Sequence, residues 1–418
     1  MVRWQRLCLV GVILLASTGA TGAATVRTLY DFCSRNNCAD GSGAMGGLLR
    51  DGNGNLYGTT TLGGAHGFGA VFELKRDGDT WTYQVLHSFC SSCGDGAFPQ
   101  SKLVLDTAGN LYGTAPSNGE LDCGIAFRLS PNGGKWKLTR LHSFCAFGGD
   151  GAHPVAGLTY AGAISGAPYD GVSPLYGVTL DGGANGLGAV YEIRPGGAHG
   201  KERVLYSFCP DKDSCSDGAA PLGDLLVDPT GSLLGNTFRG GAAGDGTVFR
   251  LSPRGGRWHE EVLHSFCSTG DCEDGSFPEG GLAMDAKGDL FGTTTGGGAN
   301  GGGTLYRLAH RRGGWDETVL HSFCSGDCTD GSSPSTGPLI DSGGGLFGTT
   351  GVNGADGGTV YRLQGSTLTT LHDFCTTQDC LDGAGPLAPL ILDDAGNLLG
   401  VTVIRGAHNG GTIFELSP

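Results

Sequence analysis

Short apolar runs recur along the whole chain, four to nine residues long and bounded by Gly, Asp, Asn or Pro. The first complete set reads Gly46 to Asp51, Asn55 to Thr61, Gly69 to Leu74 and Trp81 to Phe89. These runs are rich in β-branched and aromatic residues, so each predicts a strand. The same four runs return down the chain. The second reappears as Asn110-Leu-Tyr-Gly, Pro174-Leu-Tyr-Gly, Ser232-Leu-Leu-Gly, Asp289-Leu-Phe-Gly, Gly345-Leu-Phe-Gly and Asn397-Leu-Leu-Gly. The third reappears as Ala126-Phe-Arg-Leu, Val190-Tyr-Glu-Ile, Val248-Phe-Arg-Leu, Leu305-Tyr-Arg-Leu, Val360-Tyr-Arg-Leu and Ile413-Phe-Glu-Leu. Asp-x-x-Gly turns such as Asp106 to Gly109 precede the second run and predict tight hairpins.

The fourth run ends in a phrase close to Leu-His-Ser-Phe-Cys. It starts at Leu29, Leu86, Leu141, Leu205, Leu263, Leu320 and Leu371, in steps of 57, 55, 64, 58, 57 and 51 residues. Such a period marks a repeat architecture. Four antiparallel strands per unit, seven units in all, predict an all-β, seven-bladed β-propeller. The two ends of the chain fit closure: Val26 to Phe32 is a lone fourth strand, and Gly411 to Leu416 is a third strand lacking a fourth. Pairing them completes the last blade and removes both free edges. An open solenoid would instead want polar capping repeats, and none is visible.

The Leu-Tyr-Gly, Phe-Glu-Leu and Leu-His-Ser-Phe phrases resemble the GloVer-type tandem repeats, the "choice-of-anchor" repeat proteins of bacterial envelopes. The resemblance runs over residues 26–418. It implies an exported, propeller-like protein and carries no established activity. Such proteins often end in a sorting segment. None follows Pro418 here, so anchoring by that route is not expected.

Residues 1–24 read as a signal peptide, with Arg3 and Arg6 ahead of the apolar run Leu7 to Ala16 and then small residues to Ala24. Residues 25–418 are then a single propeller domain, expected to be secreted or periplasmic and monomeric, with no transmembrane segment. Glycine supplies 81 of 418 residues, which fits turns between strands. The net charge is −15, and of the 41 acidic residues only 10 are Glu. That acidity argues against nucleic acid as a partner, because phosphate binding needs a basic face.

Fourteen cysteines follow the signal segment, an even number in an exported chain, which predicts disulfides. Six pairs are local: Cys33 with Cys38, Cys90 with Cys93, Cys209 with Cys215, Cys267 with Cys272, Cys324 with Cys328, and Cys375 with Cys380. Cys145 lacks a close neighbour and is expected to pair with Cys123, in the loop between the second and third strands of its blade. The alternative, metal or redox chemistry at Cys90-Ser-Ser-Cys93, lacks the clustered spacing of a zinc site.

After each cysteine pair comes an Asp-Gly turn, at Asp40, Asp95, Asp150, Asp217, Asp274, Asp330 and Asp382, six of them in the form Asp-Gly-x-x-Pro. One reading makes the Asp a turn former that caps nearby backbone. The other makes the seven carboxylates a ring on the loop face that could hold Ca²⁺ or a polar ligand. Glycine-rich loops such as Gly63 to Gly67 and Gly297 to Gly301 share that face. None opens a helix, which removes a phosphate cradle. His87, His142, His264, His321 and His372 give way to Tyr30 and Tyr206 in two units. A metal ligand or catalytic base would not tolerate that exchange, whereas a packed polar aromatic would. Trp81, Trp136, Trp258 and Trp315 open fourth strands and are expected to pack blade edges, with sugar stacking as their other use.

Even repetition favours a non-catalytic binding or interaction scaffold whose partner is a protein or a glycan. The alternative is a secreted carbohydrate hydrolase or lyase with an acidic site on the loop face. Its best unit-specific candidates are Glu120, Asp122, Asp211 and Asp213. A structural role in the envelope is a third expectation.

Overall fold

The computed structural model describes residues 24–417 except 146, 197–200, 212–213 and 352–356. It contains seven four-stranded antiparallel sheets and, among the described residues, no α-helix. The first blade runs Leu49–Arg50, Leu56–Thr60, Ala70–Asp77 and Thr80–Ser88 from the axis outward. Blades two to six repeat this order, ending in fourth strands at Lys135–Ser143, Lys201–Ser207, Arg257–Ser265, Gly314–Ser322 and Thr367–Asp373. The innermost strands pair over only two residues each, shorter than the apolar runs suggest. Their glycines explain this. A Cβ on Gly46 would strike the backbone of Ser101, and one on Gly223 would lie 2.6 Å from the Gly280 carbonyl. The inner segments approach one another backbone to backbone before they turn out into their sheets.

Closure occurs as the chain ends imply. Thr25–Asp31 pairs antiparallel with Thr412–Ser417, with Val26 opposite Leu416 and Arg27 opposite Glu415. The seventh blade therefore takes its outer strand from the start of the chain and its other three from the end.

Every signature phrase carries a β-bulge on its Leu. In the first blade Val71 faces His87 and Phe72 faces Val85, so Leu86 has no partner in the ladder. The same skip falls on Leu29, Leu141, Leu205, Leu263, Leu320 and Leu371. A bulge re-aims the side chains beyond it. Here it sends the following Phe into the next blade. Phe89 meets Phe127 edge-on at 5.4 Å, Phe144 meets Tyr191 at 5.1 Å, and Phe374 meets Phe414 at 5.0 Å. The equivalent contact recurs at the other four junctions. The Gly of each Leu-aromatic-Gly phrase makes room for that third-strand ring: a Cβ on Gly58 would sit 2.6 Å from Phe72.

The buried apolar residues divide into seven clusters, each spanning two neighbouring blades. The cluster holding Phe32, Val401 and Ile413 of the seventh blade also holds Leu56, Phe72 and Leu74 of the first. The core is thus a ring of seams, and no blade buries its faces alone. Removing residues 25–31 should therefore expose an edge and open a seam together. Circular dichroism melting of that truncation is expected to show a large fall in midpoint for the whole sheet signal. A melt with an unchanged midpoint would contradict closure by this strand.

Candidate functional site

The seven Asp-Gly aspartates lie where the fourth strand of each blade hands over to the next blade, and each accepts hydrogen bonds from its own unit. The bulge turns the residue after Leu toward this carboxylate. His87 Nε2 lies 2.8 Å from Asp95, His264 3.0 Å from Asp274, His321 2.8 Å from Asp330 and His372 2.9 Å from Asp382. His142 contacts Asp150 at 3.0 Å. In the two exchanged units the tyrosine hydroxyl donates instead, Tyr30 to Asp40 at 2.7 Å and Tyr206 to Asp217 at 2.6 Å. Histidine and tyrosine share the required property, a ring that ends in a donor. The same carboxylates accept backbone N–H groups just past the signature Phe: Cys90 to Asp95 at 3.0 Å, Cys267 to Asp274 at 3.0 Å and Cys209 to Asp217 at 3.1 Å. Asp40 and Asp150 are buried. These aspartates cap backbone: their ring donors lie upstream in the fourth strand and most of their backbone donors just after its end, while Asp150 also accepts the Gly151 N–H inside the turn.

The cysteines sit directly on this clamp, paired as the spacing implies, including Cys123 with Cys145. Two groups among the described residues bring three metal-ligating types together. One is Asp245 with Cys267 and Cys272, whose sulfurs are already bonded to each other. The other is His142, Asp150 and Glu202.

Glu202 belongs to a set. Three residues before the signature Leu, blades three, four and five carry Glu202, Glu260 and Glu317. Each faces the clamp of the preceding blade: Glu202 feels His142 and Asp150, Glu260 feels Asp217, and Glu317 feels His264 and Asp274. In the first blade Tyr83 takes the place, stacked at 4.0 Å on Tyr30. Burial, first of all, pushes the three glutamates up to about 7, and the neighbouring carboxylates add to the rise. The native state thus keeps three protons that the unfolded chain releases near 4.5. Their stabilisation is complete below pH 4.5 and is lost as pH rises through about 7. Urea unfolding across that window should show stability falling with pH. The triple variant E202Q/E260Q/E317Q should flatten that fall, and an unchanged slope would count against these carboxyls as its source.

The described unit-specific acids from the sequence lie elsewhere. Glu120 pairs with Arg140 at 2.5 Å, Asp122 accepts the Asn118 N–H at 3.2 Å, and Asp211 accepts the Ser214 hydroxyl at 3.0 Å. Asp213 lies outside the described residues. The four tryptophans pack beside the seam clusters of the first, second, fourth and fifth blades.

The inner segments enclose an axial cavity of about 350 Å³, to which all seven blades contribute. Its wall is mainly Gly, Ser, Thr and aliphatic residues, broken by three charged side chains: Lys102 of blade two, Asp224 of blade four and Glu279 of blade five. Asp224 accepts the Gly157 N–H at 2.6 Å. Glu279 and Lys102 have no hydrogen-bond or ion-pair partner among the described residues, and burial raises the Glu279 carboxyl. Sequence reasoning missed these three. The signal was available: in the three positions after the Pro of Asp-Gly-x-x-Pro, the other units place neutral residues.

The chain matches the family model of the Gloeobacter/Verrucomicrobia repeat over residues 11–173 and 164–414, and it belongs to that family. No curated protein matches it. Among solved structures it is similar to the β-propeller domain of Cps50 (Swd1) from Myceliophteria thermophila, with TM-score 0.54 and 10% identity over 94% of this chain and 99% of that one. It is also similar to the extracellular domain of a protein assigned to a one component system from B. thetaiotaomicron. There the TM-score is 0.54 and the identity 11%, over 93% of this chain but 39% of the other. At these identities the likeness is one of fold.

Proposed function

We propose that this member of the Gloeobacter/Verrucomicrobia repeat family is an exported, non-catalytic binding propeller, and that its ligand site is the axial cavity with the loop face at its mouth. The observation that carries this reading is the contrast between two sets of polar groups. The repeated aspartates are held by donors of their own blades. Lys102 and Glu279, which break the repeat, stand in a cavity without partners among the described residues. A pocket with a few convergent polar groups in an otherwise plain wall is the usual form of a small-ligand site. Seven disulfides support a compartment more oxidising than the cytoplasm.

Asp224 and Glu279, on adjacent blades, are also the pair that the hydrolase reading would require. One experiment separates the two. The purified protein is screened by thermal shift and by product analysis against small metabolites and polysaccharides. A binding propeller should give at least one compound that raises the melting midpoint by mass action and is recovered unchanged. The shift should disappear in Glu279→Gln. Steady product formation that is lost in Asp224→Asn or Glu279→Gln would replace this reading with the hydrolase. No shift with any compound would remove the cavity as the site.

A further inference from the structure

We propose that the seam between blades two and three holds a Zn²⁺ site, with His142 Nε2, Asp150 and Glu202 as its protein ligands. The site is separate from the axial cavity and does not depend on what that cavity binds.

His142 stands at the end of blade two, Asp150 in the turn that leaves it, and Glu202 in the fourth strand of blade three. One ligand atom from each lies within 4.8 Å of the other two. The His142 side chain is 10% exposed and that of Asp150 0%. Both carboxylate oxygens of Glu202 are shut off from solvent, and neither has a hydrogen-bond partner among the described residues. A buried carboxylate without donors is costly, and a second carboxylate beside it adds to the cost. The described ion pairs bring no lysine or arginine to Glu202. Arg203, its neighbour in the strand, pairs with Glu192 at 3.2 Å. In the metal-free protein a proton on Glu202 meets this cost. A divalent cation would displace that proton and neutralise both carboxylates at once.

The donor set selects the metal. One imidazole nitrogen with two carboxylates suits zinc, whereas Ca²⁺ takes oxygen ligands alone. With bonds of about 2.0–2.1 Å, the donors around a tetrahedral zinc stand roughly 3.3 Å apart. His142 Nε2 and Asp150 already lie 3.0 Å apart, so Glu202 is the ligand that has to close in. For Nε2 to bind zinc, the imidazole carries its proton on Nδ1. The fourth position is left to water.

The equivalent places in the next two blades supply the contrast. Glu260 and Glu317 each leave one oxygen buried without a partner, where Glu202 leaves two. Glu260 faces a clamp built on Tyr206, which offers no nitrogen. Glu317 faces His264 and Asp274, yet those three do not gather within 4.8 Å. The exchange of His for Tyr thus speaks against a metal in every blade and leaves this one junction open. Access differs here as well. Cys145 pairs with Cys123, so no short disulfide closes the loop that leads to Asp150. That loop carries exposed Phe147, whose ring lies 6.1 Å from His142, and then Gly148 and Gly149, where a Cβ would meet nothing within 4 Å. A metal site needs such an entry path.

The test is titration of the EDTA-dialysed mature chain with ZnCl₂ and, separately, CaCl₂, read by calorimetry and by thermal melting. One equivalent of zinc should bind and raise the melting midpoint by mass action. Glu202→Gln removes one ligand. His142→Tyr removes the nitrogen but keeps a ring donor for Asp150, as Tyr30 and Tyr206 do for Asp40 and Asp217. It should therefore melt like the parent when no metal is present. Each variant should weaken zinc binding about tenfold or more, and Glu317→Gln should leave it unchanged. Absence of zinc binding would overturn the proposal. So would binding that survives both Glu202→Gln and His142→Tyr, or that Glu317→Gln weakens equally. Calcium bound through these residues in place of zinc would overturn the choice of metal.

Discussion

The structure depends on a carboxylate clamp at the end of each blade. One Asp takes a ring donor from the fourth strand, His or Tyr, and also a backbone N–H: among the described residues this donor comes one turn later in six blades, and at Asp150 the Gly151 N–H donates. Without that acceptor the chain leaving the outer strand would have to find other partners for these donors. With it, the Asp-Gly turn is set at a fixed place over the seam, and the short disulfide closes the loop just before it. Hydrogen bonds to a charged acceptor are worth about 1.5–3 kcal/mol each, and burial sharpens the cost of losing one.

The clamp matters because of what stands next to it. The bulged Leu, the ring donor and the seam Phe are consecutive or nearly so, and one local distortion serves all three. It aims His87 at Asp95 and leaves Phe89, two residues on, against the ring of the next blade. Each blade thereby contributes a key to its neighbour. The ring carries no cap because the seventh blade does the same to the first: Tyr30 meets Asp40, and Phe32 meets Phe72. A backbone hydrogen bond from each left-handed loop residue to the preceding blade runs above these seams, as from Phe98 to Phe68. Such a lattice of equivalent contacts leaves little for any one unit to vary, so residues that do vary draw attention.

Much of this was legible in the sequence, for a physical reason. Strand period, turn chemistry and repeat length are local properties, and closure follows from a lone strand at each end of the chain. The cysteine pairing was legible because most partners lie within six residues of each other. The exchange of His for Tyr pointed to a packed polar ring, but not to its acceptor, which lies eight to eleven residues downstream across an irregular loop. Lys102, Asp224 and Glu279 were missed because they do not recur at one offset in every unit: the first two stand three places after the turn Pro and Glu279 one. Which of those offsets faces the axis depends on how closely glycines let the inner segments approach. The acids that did attract notice, Glu120 and Asp122, proved to be engaged within their own blade.

The central claim is a division of labour between repeated carboxylates that hold the ring and unrepeated ones that meet the ligand. Measuring urea unfolding and ligand affinity side by side for Asp274→Ala and Glu279→Gln tests it most directly. Asp274→Ala strands the His264 ring and the Cys267 N–H, so it should lower stability by about 1–3 kcal/mol and leave affinity close to that of the parent. Glu279→Gln should do the reverse, with an unchanged unfolding midpoint and weakened binding. An Asp274→Ala protein that is as stable as the parent but has lost its ligand would contradict the account.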